Sequence, residues 1–392
     1  MIDENLKKYA TKKQWEYYLL AEELGSCRKA SKELGFNSGV VSKTIRVLKR
    51  KAAKYGYAPE NDFTKTVPDG FEIKGVSTYY DKDGKVRSQW VKSQVDKELQ
   101  EEIMREAISA FVDEIPRVRE VKSPKGSNSN LMTVYPVGDH HFGMLAWDKE
   151  SDADYDLEIA GKLLLGSMDY LVESSPKSEE AAVVLLGDFM HYDGYEPVTP
   201  TSRNILDADS RFPKMVKVAI QSIRHLVLRA LQKHQKVRLI IEVGNHDLSS
   251  SIFLMEAMKI YYESEPRVFV DNTPKQMHSF VFGKNLVVTH HGHSIKMNEL
   301  ASVIACDYAK EWGEALHRYC YTGHLHHDHK KEFRGITVEQ MRVLAPKDAY
   351  AQHHGYRAGR DMKAIVLHKE FGEVSRNLVT PEMLKENSGE KE

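Results

Sequence analysis

The sequence predicts an α/β body carrying a small all-α head, and three observations support this. From Leu131 onward, apolar runs of strand length alternate with longer amphipathic stretches. Five short polar blocks rich in Asp, Asn and His each follow one of those apolar runs. Charge is also split. Residues 1–57 hold thirteen Lys/Arg against six Asp/Glu, a net of +7, so residues 58–392 must carry −8 for the chain to total −1. All eighteen histidines lie at or beyond His140. A basic head on an acidic, histidine-rich body implies that the two parts meet different things.

The head reads as three helices. Residues 12–24 form the first, with Trp15, Leu19 and Leu20 toward a core. Ser26 caps a second, running to Leu34. A turn at Gly35-Phe36-Asn37-Ser38 leads to a third over 40–55, whose apolar stripe is Val40, Ile45, Leu48 and Ala52. Helix, helix, glycine-containing turn and basic helix is the outline of a helix-turn-helix. In that arrangement Ser38, Ser42, Lys43, Arg46, Lys49 and Arg50 face nucleic acid bases and phosphates. The competing reading is a helical bundle whose charged face stays solvated or docks another protein.

Residues 58–130 read as a linker. Pro59, Pro68, Asp69 and Gly70 mark loops, and 72–93 is a β-hairpin turning at Asp83-Gly84. Its Tyr79, Tyr80 and Trp90 either pack the hairpin onto neighbours or stack on a nucleic acid strand. A charged helix is expected over 94–114, then a flexible joint at 123–130. In the body, strands are expected at 132–138, 181–187, 237–243, 285–290, 319–323, 336–343 and 364–368, and helices at 157–173, 213–233 and 251–262. The tail from 381 is polar and expected to be disordered. The expected partition is thus 1–57, 58–130, 131–380 and 381–392, with no internal repeat.

With 41% hydrophobic and 29% charged residues the chain can bury a core without staples. Cys27, Cys306 and Cys320 form no spacing motif, and no apolar run reaches membrane-spanning length. A cytoplasmic protein without a membrane partner is therefore expected.

The chemistry lies in the five blocks. They are Asp139 and His141 in GDHHFG, Asp188 in LLGDF, Asn245-His246-Asp247 in GNHD, His291 in VVTHHGH, and His324 with His326 in GHLH. Oxygen and imidazole donors without thiolate suit Mn, Fe, Zn or Mg rather than a structural zinc finger. In this order and spacing, over about residues 131–330, the blocks resemble the calcineurin-like metallophosphoesterase superfamily.

That resemblance implies a two-sheet α/β sandwich flanked by helices, with metal ligands on loops at strand ends. It implies two divalent ions, Mn²⁺ before Fe, Zn or Mg. One would be held by Asp139, His141 and His326, the other by Asn245, His291 and His324, with Asp188 bridging both. His290 is the alternative to His291. His246 would be the general acid, oriented by Asp247, and Asn245 would help to offset charge on the phosphoryl oxygens. His140, His327 and His329 are assigned supporting or exposed roles, and His191 either a substrate contact or a packing role.

His141-Phe142-Gly143 looks like the start of the SbcD-type nucleases, and the layout looks like phage metallophosphoesterases with a DNA-binding head. A DNA nuclease in a bacterial or phage-infected cell is the leading expectation, with Arg203, Arg211, Arg357 and Arg360 as phosphate contacts. The alternatives are a phosphoesterase for a small molecule, RNA end or phosphoprotein, and a DNA-binding regulator with a scaffold body. Only about sixty residues follow GHLH, with no extended capping domain evident, which argues against a coiled-coil ATPase partner.

Overall fold

The computed structural model describes residues 2–37, 39–64, 71–83, 85–95 and 121–388. The chain divides into two compact units, 1–105 and 106–392.

In the first unit, α1 (Lys12–Glu23), α2 (Cys27–Glu33) and α3 (Val40–Lys54) follow a short 3-10 turn. Thr11 and Gln14 cap α1 reciprocally, and the Ser26 hydroxyl accepts from the Arg28 amide at the start of α2. The core differs from expectation in two places. Tyr17, Tyr18 and Ala21 are the buried residues of α1, while Trp15 and Leu20 pack only at the margin of this core and Leu19 is half-buried. On α3 the buried stripe is Val41, Ile45, Leu48 and Ala52. That i, i+4, i+7, i+11 spacing leaves Val40, one residue out of phase, exposed. Lys43, Arg46, Lys49 and Arg50 are exposed and Ser42 half-buried, and Lys49 pairs with Glu60. Ser38 lies outside the described residues.

Strands β1 (Phe71–Tyr80) and β2 (Val86–Val95) form the expected antiparallel hairpin. The Asp81 side chain holds its turn by accepting from the amides of Asp83 and Lys85. Tyr79, Tyr80 and Trp90 are all exposed, which does not fit the reading that they pack the hairpin onto neighbours. The helix expected over 94–114 falls beyond β2, outside the described residues from 96 on.

The second unit is a two-sheet α/β sandwich. Its elements in order are β3 (Asn128–Val137), α4 (Asp148–Ser151), α5 (Leu157–Ser174), β4 (Ser178–Leu185), α6 (Phe212–Lys233), β5 (Lys236–Ile241), α7 (Leu248–Tyr261), β6 (Val268–Val270), β7 (Met277–Phe282), β8 (Asn285–His290), α8 (Met297–Asp307), α9 (Ala309–Glu314), β9 (His317–Thr322), β10 (His329–Phe333), β11 (Ile336–Gln340), α10 (Ala349–His353), β12 (Met362–His368), β13 (Gly372–Val379) and α11 (Pro381–Ser388). One sheet has the order β13-β12-β3-β4-β5-β6 and the other β10-β11-β9-β8-β7.

Alternate residues of β3, β4 and β5 (Met132, Val134, Ala182, Val184, Ile240) meet Phe280, Phe282, Val287 and Tyr321 of the second sheet in one core. The outer face of the six-stranded sheet carries α5 and α6. The buried stripe of α6 includes Met215, Ala219, Leu226 and Ala230. Leu300 and Ile304 of α8 pack on the other sheet against Leu286, Val288 and Val338.

The four strands without an expected counterpart, β6, β7, β10 and β13, are the edge strands of the two sheets. β6 has three residues, and β10 (HKKEF) is charged and largely exposed. The stretch from 381 is helical through Ser388 rather than disordered. Leu384 lies against Gly166 of α5, so a polar sequence is held by one apolar anchor. The stretch read as a flexible joint is tied down too. Gln235 donates to the Pro124 carbonyl, and the Asn128 amide to the Lys177 carbonyl at 2.7 Å.

Candidate metal centre

Register brings the five blocks together. In the parallel part of the first sheet Val137, Leu185 and Ile241 are partners, and in the second His290 pairs with Thr322. Each block begins within a few residues of these positions, so Asp139, Asp188, Asn245, His291 and His324 all leave the carboxyl ends of their strands. Ligand loops belong at that edge because helices and neighbouring strands cover the others.

The loops are locally strained. His141 (φ 51), Asp188 (φ 48), His324 (φ 76) and His326 (φ 59) are four of the seven non-glycine residues with positive φ among the described residues. L-residues avoid that region, so surrounding bonds must hold them there. The glycine that opens two of the blocks is required by close approach. A Cβ on Gly244 would fall on the Asp188 carboxylate, and one on Gly323 on that of Asp139.

Two groups of donors result. Asp139, His141 and His326 form one, and Asp188, His291 and His324 the other. In the first, His326 Nε2 is 3.0 Å from Asp139 Oδ2 and 3.3 Å from His141 Nε2. In the second, His291 Nε2 is 3.2 Å from Asp188 Oδ2 and 3.0 Å from Asn245 Oδ1. The other nitrogen of His291 donates to the Leu186 carbonyl at 2.8 Å. A carbonyl can only accept, so the neutral ring carries its proton on Nδ1 and aims the Nε2 lone pair at the centre. His290, the alternative, has both ring nitrogens engaged elsewhere. Its Nδ1 accepts from the Gly292 amide, and its Nε2 meets Ser294.

The field at the site favours cations. Burial would lower the pKa of His291, but Asp188 and Asp139 raise it to about 10. Burial opposes and Asp139 raises the pKa of His326 as well. Asp188 is pulled well below the usual carboxylate range, chiefly by His291, against the effect of its burial. His141 shifts the other way, well below its ordinary value, through burial and then the neighbouring His246, His191 and His326. Buried carboxylate oxygens beside imidazole nitrogens that face one another at 3.3 Å form a donor set that a divalent cation satisfies. The Asp and His groups are suited to holding metal ions.

His246 and Asp247 differ from expectation. Asp247 does not orient His246. Its carboxylate accepts from the amides of Asp188, Gly244 and Met190 at 3.1 to 3.2 Å, tying the GD and GNHD loops together. Burial, then the charge of Asp188, push it up to about 7. His246 is oriented by the His191 carbonyl, to which its Nδ1 donates at 2.8 Å, leaving Nε2 to the cleft. Its amide donates to Asp188 Oδ1 at 2.7 Å.

His191 lines the cleft with its Nδ1 3.3 Å from His141 Nδ1, and His141, His191 and His246 form a third group of donors. Asp193, which the sequence did not single out, accepts from the amides of Ser249 and Ser250 and fixes the start of α7 beside the site. His140 is buried and bonds the Ala160 carbonyl, while His327 and His329 are exposed. Of the four arginines, Arg357 and Arg360 line the cleft. Arg203 pairs instead with Glu196, and Arg211 precedes α6 away from the cleft lining.

No protein-family model matches this chain, and no curated protein matches it in sequence. Among solved structures, an archaeal phosphodiesterase is 13% identical, with a TM-score of 0.34 over 63% of this chain and 100% of its own. A conserved protein of Streptococcus pneumoniae described as a predicted phosphoesterase is 13% identical, with a TM-score of 0.26 over 64% and 99%. Zinc-complexed Vps29 from Entamoeba histolytica is 11% identical, with a TM-score of 0.26 over 63% and 98%. Likenesses this slight decide neither reaction nor substrate.

Proposed function

We propose that this chain is a metal-dependent phosphodiesterase of the calcineurin-like kind, that its substrate is DNA, and that its N-terminal helices hold that substrate. The observation that carries the hydrolytic reading is the convergence of Asp139, His141, Asp188, Asn245, His291, His324 and His326 from five strand ends, with all but the buried Asp139 and His291 lining one cleft. Asp139, His141 and His326 would hold one divalent ion and Asn245, His291 and His324 the other, with Asp188 between them. Manganese is the first choice for a donor set of oxygen and imidazole. Bound there, the ions would polarise phosphoryl oxygens and lower the pKa of a water.

The protein groups do the rest. Asp139 and Asp188 set a negative field that holds positive charge at the strand ends. Asn245 presents a neutral amide where a phosphoryl oxygen develops charge. His246, held through Nδ1 by the His191 carbonyl, offers Nε2 to the cleft and so can pass a proton to a leaving oxygen. The DNA assignment rests on the exposed Lys43, Arg46, Lys49 and Arg50 of α3, with Ser42 in its first turn and Ser38 preceding it in the sequence. A helix-turn-helix there would raise the local concentration of DNA beside the site.

The test is cleavage of end-labelled single- and double-stranded DNA with added Mn²⁺, comparing the wild type with His246→Ala and Asp188→Asn. Cutting that needs metal and is lost in both variants is expected. Hydrolysis of bis-p-nitrophenyl phosphate without DNA cutting would keep the phosphodiesterase and remove DNA as its substrate.

A further inference from the structure

The cleft is larger than a phosphate needs. It encloses about 1050 Å³, with His141, Asp188 and His246 on one side. Outside the five blocks its walls come from three segments, around 151–153, 199–207 and 343–360. Sites of this size enclose whole small molecules, with apolar surface for contact and a few polar groups for orientation.

Three apolar side chains line this cleft and are exposed in it. Ile205 is 87% exposed, the highest value among the large hydrophobic residues described. Tyr356 is 59% exposed, and Leu325, between His324 and His326, is 58%. Ile205 is not on a slack loop. It forms an antiparallel bridge with Val198, and the Thr199 amide donates to the Asn204 carbonyl at 2.9 Å. The Asn204 amide donates to the Thr199 hydroxyl at 3.0 Å, and Arg203, at φ 58, pairs with Glu196. A turn fixed by this many bonds holds the Ile205 side chain out at the cleft, where a ligand that covered it would gain by removing its apolar surface from water. Cations share the same wall. Lys347 and Arg357 both line the cleft, Lys347 in an ion pair with Asp152.

We propose that Ile205, Leu325 and Tyr356 form a nucleobase subsite beside the phosphodiester centre. The proposal rests on the phosphodiesterase reading above. A nucleobase is flat and apolar on its faces and is joined to a phosphate, and it matches both the apolar side chains and the flanking cations. A bare sugar phosphate has no flat apolar face to set against them. A base stacked within a duplex cannot present its face to them. The subsite therefore takes an unpaired nucleotide, and Ile205 acts as the apolar wedge that separates it from its neighbour.

The experiment compares two phosphodiesters that release the same p-nitrophenol, the p-nitrophenyl ester of thymidine 5′-phosphate and ethyl p-nitrophenyl phosphate. Full-length, Mn²⁺-supplied wild type, Ile205→Ser and Tyr356→Ser are assayed on both. Both side chains are exposed, so the variants keep their fold. The wild type is expected to favour the thymidine ester in kcat/KM, Tyr356→Ser to reduce that preference roughly ten-fold, as loss of one aromatic stacking contact does, and Ile205→Ser to reduce it by a smaller factor. Cutting of an unpaired (dT) strand should also be faster than cutting of a blunt duplex, and the variants should narrow that gap. Equal kcat/KM on the two esters in the wild type, a preference untouched by both substitutions, or equal rates on strand and duplex would overturn the subsite. Failure of the wild type to hydrolyse either ester would instead overturn the phosphodiesterase reading, and the subsite with it.

Discussion

The two units of this chain carry their proposed chemistry in opposite ways. In the larger unit the acting groups are mostly buried, drawn from five separate loops and held by bonds from several of them. Asp188 alone touches His291, His246 and the loop fixed by Asp247. In the smaller unit the charged members of the proposed contact set, Lys43, Arg46, Lys49 and Arg50, are exposed side chains of one helix. A constellation of the first kind is brittle, because moving one member moves its partners. An array of the second kind is graded, because each charge adds its own share.

The largest effect expected from that contrast is at a residue with no side chain. Gly244→Ala would place a methyl group on the Asp188 carboxylate and force the GD and GNHD loops apart. Displacement on the scale of an ångström at a reacting centre costs on the order of a hundred-fold in rate. Hydrolysis of bis-p-nitrophenyl phosphate should fall by that much while circular dichroism shows a folded chain. A variant with more than half the wild-type rate would show that the site tolerates movement, and the contrast between the units would weaken.

Asp247→Asn probes the same brittleness one layer out. The carboxylate accepts three backbone amides, and an amide side chain must turn one N–H donor toward another. Groups that support ligands in this way affect metal affinity or activity by about ten- to a hundred-fold. Titration of Mn²⁺ against activity should show weaker binding. An unchanged titration would mean that Asp188 is positioned without help from Asp247.

A histidine remote from the site separates burial from chemistry. The Nδ1 of His234 donates to the Ser178 carbonyl at 3.0 Å, so its Nε2 accepts from the Tyr135 hydroxyl at 2.9 Å. Both nitrogens are satisfied in the neutral ring, and burial lowers its pKa to about 4. Its unfolded value is about 6.5. Between those values the unfolded chain binds the extra proton, so this stabilisation is complete above about pH 6.5 and is lost as pH falls toward about 4. Thermal melts across that window should show His234→Gln, less stable at pH 7, losing less stability on acidification than the wild type. Parallel curves would sink the assignment.

The same contrast explains what could be read from the sequence. Each block of the larger unit keeps its members within a few residues, so the Asp, Asn and His residues that the structure brings together were legible by spacing. Relations between blocks left no such trace. That Asp247 ties two loops and that the His191 carbonyl orients His246 depend on contacts across more than fifty residues. The strands inside each sheet were legible as apolar runs, while the four edge strands were not: β10 is charged, β6 has three residues, and β7 and β13 mix polar residues among apolar ones. On α3 the period was legible but its phase was not. Val40 and Val41 are equally apolar, and only packing against α1 and α2 selects Val41.

The smallest effect is expected in the smaller unit. If α3 lies on DNA, each of Lys43 and Arg46 that meets a phosphate releases about one counterion. Replacing either by Ala should then lower affinity only several-fold and reduce the slope of log affinity against log salt by roughly 0.9. Replacing both should give the sum of the two changes, because exposed charges on successive turns act independently. Fluorescence anisotropy with a labelled duplex at several salt concentrations, in EDTA so that no strand is cut, reads both quantities. A single substitution that abolished binding would place a base-reading or structural contact there and make this face as brittle as the metal centre. No change in slope for either variant would remove α3 from the DNA interface and leave the helical head to some other partner.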